Sequence, residues 1–155
     1  QGIMTPMLQD PVNLVNAPVL AEARGISYKQ TFAKSSPEHT CLLSIRVTTS
    51  SGERTICGTV YGQDARIVHI DGHHVDIIPN GHMVVTQHND RPGIIGKVGT
   101  LLGDNGVNIG GMHVGREAVG THAIMVIMTD ENISADLLGQ IRTLPGIETA
   151  QTITL

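Results

Sequence analysis

The sequence predicts an α+β protein in which an antiparallel meander precedes a β-α-β-β-α-β unit. Three observations carry that reading. Strand-like runs between residues 41 and 78 are separated by short stretches of turn residues. Asp71-Gly72 stands between two apolar runs, which is the strongest short hairpin signal a sequence offers. Beyond residue 81 the rhythm changes, and four strand-like runs alternate with two amphipathic helical segments.

Composition sets the frame. The 155 residues are enough for one ordinary domain or two small ones. The apolar fraction is 40 %, yet only Tyr28, Phe32 and Tyr61 are aromatic and Trp is absent, so the core must be aliphatic. A formal net charge of -4 with 10 Lys and Arg gives no basic stripe of the kind nucleic acid rewards, so no nucleic-acid partner is expected. There is no apolar run near the length of a membrane span and no signal peptide, so no membrane partner and a cytoplasmic location are expected. Cys41 and Cys57 form no CxxC pair; both lie in strand-like runs and are expected to be buried thiols. The opening QGIMTPMLQDP lacks an initiator Met and reads like the end of a helix, which suggests a fragment of a longer chain.

The elements follow in order. Residues 16–24, NAPVLAEAR, read as a helix with Asn16 as its cap, Pro18 in the first turn and Gly25 as its stop. Residues 26–32, ISYKQTF, read as a strand, and SSPEHT as a polar link. Strands are expected at 41–49 and 54–62 around the turn SSGE, and at 65–70 and 73–78 around Asp71-Gly72. Pro79-Asn80-Gly81 marks a boundary. Then come a strand at 82–89, a helix at 93–105 and a strand at 108–116. In that helix Ile94, Ile95, Val98, Leu101 and Leu102 fall on one face and Gly106 is the stop. Residues 122–128, HAIMVIM, are almost wholly apolar and so are expected to be central in the sheet. Ser134 caps a helix at 135–143 with Leu137, Leu138 and Ile141 inward, and 147–154 closes the unit as a strand. Each half, of about 75 residues, is marginal alone, so docking or dimerisation is expected.

The glycines around Lys97 resemble a phosphate loop only superficially. A GxxxxGK[ST] loop needs Ser or Thr after the Lys and Gly six positions before it; here those positions are Val98 and Arg91. Gly93, Gly96, Gly99 and Gly103 recur at helical spacing, which points to a helix packed closely on a neighbour, with Lys97 facing solvent. The chemistry is better placed at the ends of this helix. Asp90 is a candidate cap that can also meet an ammonium group, and the free amides of a helix start hold a carboxylate. The Asn108 amide both donates and accepts. His88, Asp90, the helix amides and Asn108 suit an amino-acid zwitterion; an ordinary capped helix with turn residues is the alternative. The adjacent His73 and His74 face opposite ways on a strand and form no metal site by themselves.

DRPGI at 90–94 followed by GVNI at 106–109 resembles the start of an ACT domain, a small amino-acid-sensing module of ferredoxin-like βαββαβ fold. VNLVNAP at 12–18, RGI at 24–26, GTVYG at 58–62 and IDGHHVD at 70–76 resemble the intervening domain of long-form D-3-phosphoglycerate dehydrogenases. The resemblance covers nearly the whole chain. It implies the end of an intervening domain at 1–80 and an ACT domain at 81–155.

It further implies the regulatory part of an NAD-dependent enzyme that oxidises 3-phosphoglycerate in serine biosynthesis, with the catalytic Arg, Glu and His and the NAD site in upstream domains of the same chain. The fragment itself is then expected to hold no catalytic residue, metal or cofactor. L-Serine is implied as the effector, bound between paired ACT domains of a homo-oligomer by His88 and Asp90 of one domain and Asn108 of its partner. Arg66 and His74 match anion-binding positions of the intervening domain, while Ile78 and Met128 stand where relatives place basic residues. A tetramerising module without an effector, or a stand-alone amino-acid regulator, are the other readings.

Overall fold

The computed structural model describes residues 1–32, 41–116, 118 and 120–155. The chain forms two compact units, Gln1–Lys34 and Ser35–Leu155. The link expected at 35–40 lies outside the described residues.

In the first unit a 3-10 turn, Thr5–Met7, precedes the short helix α1, Ala17–Glu22, and Met4, Ala17 and Ala21 are buried. Asn16 does not cap this helix. Its backbone is already right-handed helical, and its side chain turns back to bond the Asn13 amide and the Pro11 carbonyl. The cap is Asn13, whose Oδ1 accepts from the amides of Val15 at 2.8 Å and Asn16 at 2.9 Å. Gly25 ends the helix at φ 71°, and the Ile26 amide reaches back to the Ala21 carbonyl at 3.0 Å. Residues 26–32 form no strand. Alternation alone does not make one, because a strand exists only against a partner.

The second unit holds two four-stranded antiparallel sheets. The first is a meander of β1 (Leu43–Thr49), β2 (Gly52–Tyr61), β3 (Asp64–Ile70) and β4 (His73–Ile77), paired in sequence order. Asp71 and Gly72 have φ of 49° and 84°, the two positive values that this two-residue hairpin turn requires. The Asp71 carboxylate accepts from the Thr55 amide at 2.8 Å and from Arg54 Nε at 2.7 Å, so the turn is clamped onto β2.

The second sheet is built from β5 (His82–Asn89), β6 (Ile109–Arg116), β7 (His122–Thr129) and β8 (Ile147–Thr154), in the order β6-β7-β5-β8. Helices α2 (Ile94–Asp104) and α3 (Ala135–Thr143) complete the ferredoxin-like βαββαβ unit. As the apolar run 122–128 predicts, β7 is central. Ser134 caps α3 through the Leu137 amide at 3.2 Å.

The second sheet is buried on both faces. Against the helices lie Val84, Met125, Ile127 and Ala150, packed with Val98 and Leu102 of α2 and Leu137 and Ile141 of α3. On the other face Met83, Val85, Ile124 and Val126 meet Ile70, Val75 and Ile77 of the meander. The expected docking is thus a shared aliphatic core. Gly115 of β6 shows how close it is: a Cβ there would lie 2.5 Å from the His74 carbonyl oxygen. The β1 and β2 end of the meander is left open, with Leu43, Ile45, Val47 and Ile56 exposed.

Three other expectations are corrected. Ile95 is 48 % exposed, so the buried stripe of α2 is Ile94, Val98 and Leu102, with Leu101 partly covered. Gly96, Gly99 and Gly103 have nothing within 4 Å of a built Cβ, so within this chain they are not packing devices. Cys41 is exposed and Cys57 partly so, because the β1 and β2 end of the meander is uncovered.

Candidate functional site

The segment joining β5 to α2 is held by backbone bonds on two sides. The Asn89 amide donates to the Gly146 carbonyl at 2.9 Å and the Asp90 amide to the Thr121 carbonyl at 2.8 Å. Gly146, at φ 100°, lies directly against Ile94, where a Cβ would sit 2.6 Å from Ile94 Cδ1. His88 and Asp90 are therefore fixed where β5 ends and α2 begins.

Asp90 is not the cap of α2. Gly93 takes that position in a left-handed conformation, φ 92°, and no side chain caps the helix. The extra residues Arg91 and Pro92 set Asp90 too far back. Its Oδ2 instead accepts from Arg116 Nη1 and from the Gly120 amide, both at 3.3 Å. Arg116 escaped the sequence reading. Its signal is positional: Arg116 and His88 both pair with Ala123, so they stand level on either side of β7.

His88 is 1 % exposed. Burial pushes its imidazole below the ordinary range of about 6.5 against the opposing pull of the Asp90 and Glu148 charges, so the ring is neutral at neutral pH. Its Nδ1 is buried without a hydrogen-bond partner. Alongside, the exposed face of α2 from Gly93 to Asp104 and Leu144 borders an open hollow of about 560 Å³, with Lys97 on its rim.

Asn108 lies elsewhere. It precedes β6 at the end of the sheet where Ile109 pairs with Thr129 and Thr129 with His82, and its Nδ2 donates to Asp130 Oδ2 at 2.6 Å. His88 and Asp90 are at the other end of the eight-residue β5. At about 3.4 Å per residue the two ends are roughly 24 Å apart. One chain brings His88 and Asp90 together and leaves Asn108 at the far end.

Arg66 and His74 sit on the β3–β4 hairpin. Arg66 Nη1 meets Asp76 Oδ1 at 2.7 Å. The Arg66 hydrogen bond and charge hold the Asp76 carboxyl below its ordinary range, with smaller help from His113 and His74. The His74 ring meets the His69 ring edge-on, 5.3 Å between centroids. Ile78 is exposed and Met128 packs against the core shared by the sheets, so neither offers a charge. Among the described residues no three His, Cys, Asp or Glu side chains gather as a metal site needs, and no helix is long and apolar enough to cross a membrane.

Comparison with known proteins matches residues 1–71 to the D-3-phosphoglycerate dehydrogenase intervening domain and residues 82–146 to the ACT domain. D-3-phosphoglycerate dehydrogenase of Archaeoglobus fulgidus is 35 % identical over 157 residues, covering 100 % of this chain and 30 % of that protein. The Bacillus subtilis enzyme is 36 % identical over 99 % of the chain and 30 % of its own length, and that of Synechocystis is 36 % identical over 100 % and 28 %. The chain thus spans about 30 % of the length of these relatives. An intervening domain followed by an ACT domain, with similarity running the length of the chain, makes this the C-terminal regulatory region of the D-3-phosphoglycerate dehydrogenase family.

Proposed function

We propose that this chain is an L-serine-sensing, oligomerising module of a cytoplasmic, NAD-dependent enzyme that oxidises 3-phosphoglycerate to 3-phosphohydroxypyruvate. The observation that carries the sensing site is the separation of its parts. Asp90 and His88 lie at one end of the second sheet and Asn108 at the other. Two copies related by a two-fold axis bring the Asn108 end of each to the Asp90 end of its mate, giving two equivalent sites per pair. Asp90 takes the ammonium group, the uncapped start of α2 takes the carboxylate, and the Asn108 amide closes the site. Serine then favours the paired state because it contacts residues of both copies only there.

The exposed glycine face of α2 supports the reading, since it lets a second helix approach without steric conflict. At Arg66 and His74 the Asp76 carboxylate, 2.7 Å from Arg66 Nη1, competes with any anion for the guanidinium.

Calorimetric titration with L-serine tests the proposal. Binding at millimolar serine or below is expected, weakened at least tenfold (about 1.4 kcal/mol) in Asp90→Ala and in Asn108→Ala. No heat at millimolar serine, with the paired state still seen by sedimentation, would favour a purely structural oligomerisation module.

A further inference from the structure

Two polar side chains lie inside the aliphatic layer between the second sheet and its helices. Thr86 is 0 % exposed and His88 1 %. Thr86 Oγ1 and His88 Nδ1 are both buried and neither meets a protein hydrogen-bond partner. The two residues share a strand and are two apart, so they point to the same face as Val84, beneath α2 and α3. Each has one small and one large cross-strand neighbour: Ala150 and Met125 flank Thr86, and Ala123 and Ile147 flank His88. The two alanines, both nearly fully buried, leave room on one side of each polar group.

A buried donor or acceptor without a partner costs about 1–3 kcal/mol, and two such atoms side by side call for a common cause. Side chains two apart on a strand are about 6.8 Å apart at the Cβ atoms. Two hydrogen bonds to one water span about 5.6 Å, a reach comparable with that spacing. An internal water needs a polar pocket with at least two partners, which these residues supply.

We propose that Thr86 and His88 hold one internal water between them, and that Thr86 is thereby a positioning residue that fixes which nitrogen of the His88 ring carries its proton. The water accepts from the Thr86 hydroxyl and donates to His88 Nδ1. The proton of the neutral ring is then on Nε2, and the ring presents a donor on the side away from the water. The use of that donor toward an effector rests on the serine reading above; the water and the tautomer do not.

Both are measured on the whole chain without serine. Long-range proton–nitrogen correlation of the 15N-labelled chain at neutral pH is expected to show a single Nε2–H tautomer for His88. Thr86→Ser keeps it. Thr86→Val, of the same shape without the hydroxyl, moves the two ring-nitrogen signals toward each other as the tautomers mix. A crystal structure of the unaltered chain is expected to show an ordered water within about 3.2 Å of both atoms, which decides the matter even where Thr86→Val disturbs folding. An unchanged tautomer in a folded Thr86→Val, or an empty gap between Thr86 and His88, overturns the proposal. A chain that binds no serine yet keeps the water and the tautomer overturns the sensing site alone.

Discussion

His88 is a polar ring in an aliphatic layer, and its burial favours the neutral form. Its folded pKa lies below the unfolded value near 6.5, so protonation favours unfolding. Stability is full above that value and is lost as pH falls below it. The urea midpoint is therefore expected to drop between pH 7 and pH 5 by more in the wild type than in His88→Leu; equal drops would mean that His88 does not titrate with unfolding. Gly115 carries a steric expectation. Alanine there meets the His74 backbone, which cannot rotate away, so Gly115→Ala costs about 1–3 kcal/mol in denaturant unfolding. His88 and Asp90 were legible as polar residues flanking an amphipathic helix. Arg116 was not, because its partnership with Asp90 spans 26 residues and depends on strand register.

At the scale of elements, period decides legibility. The strands and helices between 82 and 154 alternate cleanly between periods of 2 and 3.6, and each forms near its expected bounds. Caps were less legible. Asn16 and Asp90 are good capping residue types, but a cap also needs the right backbone conformation, and Asn13 and Gly93 have the local geometry instead. The glycines of α2 lack close neighbours, so their cost to the helix is uncompensated within one chain. Gly99→Ala is expected to stabilise the isolated chain by about 0.5–1 kcal/mol, read as a higher melting temperature at low protein concentration. The same change is expected to weaken pairing in sedimentation equilibrium if that face meets a second copy. Unaltered association would place the contact elsewhere.

Across the whole second unit, two sheets that were read as separate rhythms share one core. The sequence carries the apolar alternation of each sheet, but not which apolar face meets which. That follows from three-dimensional packing around Ile77, Val75 and Ile70. Ile77 is 1 % exposed and belongs to the meander while packing on the second sheet. Ile77→Ala is expected to cost about 2–5 kcal/mol and to speed hydrogen exchange in β5 and β7 as well as in β3. Faster exchange confined to the meander would show that the two sheets open independently. The contact at Gly115 gives this coupling a mechanical character. Because Gly115 adds no side chain of its own, its backbone seats directly against the His74 carbonyl and the Val75 and His73 side chains, like machine parts mated without backlash. The edge strand is thereby seated on the β3–β4 hairpin, and the Asp71 clamp ties that hairpin to β2. A side chain added at Gly115 would therefore wedge the two sheets apart, and the register of the meander on the second sheet depends on that one position staying bare.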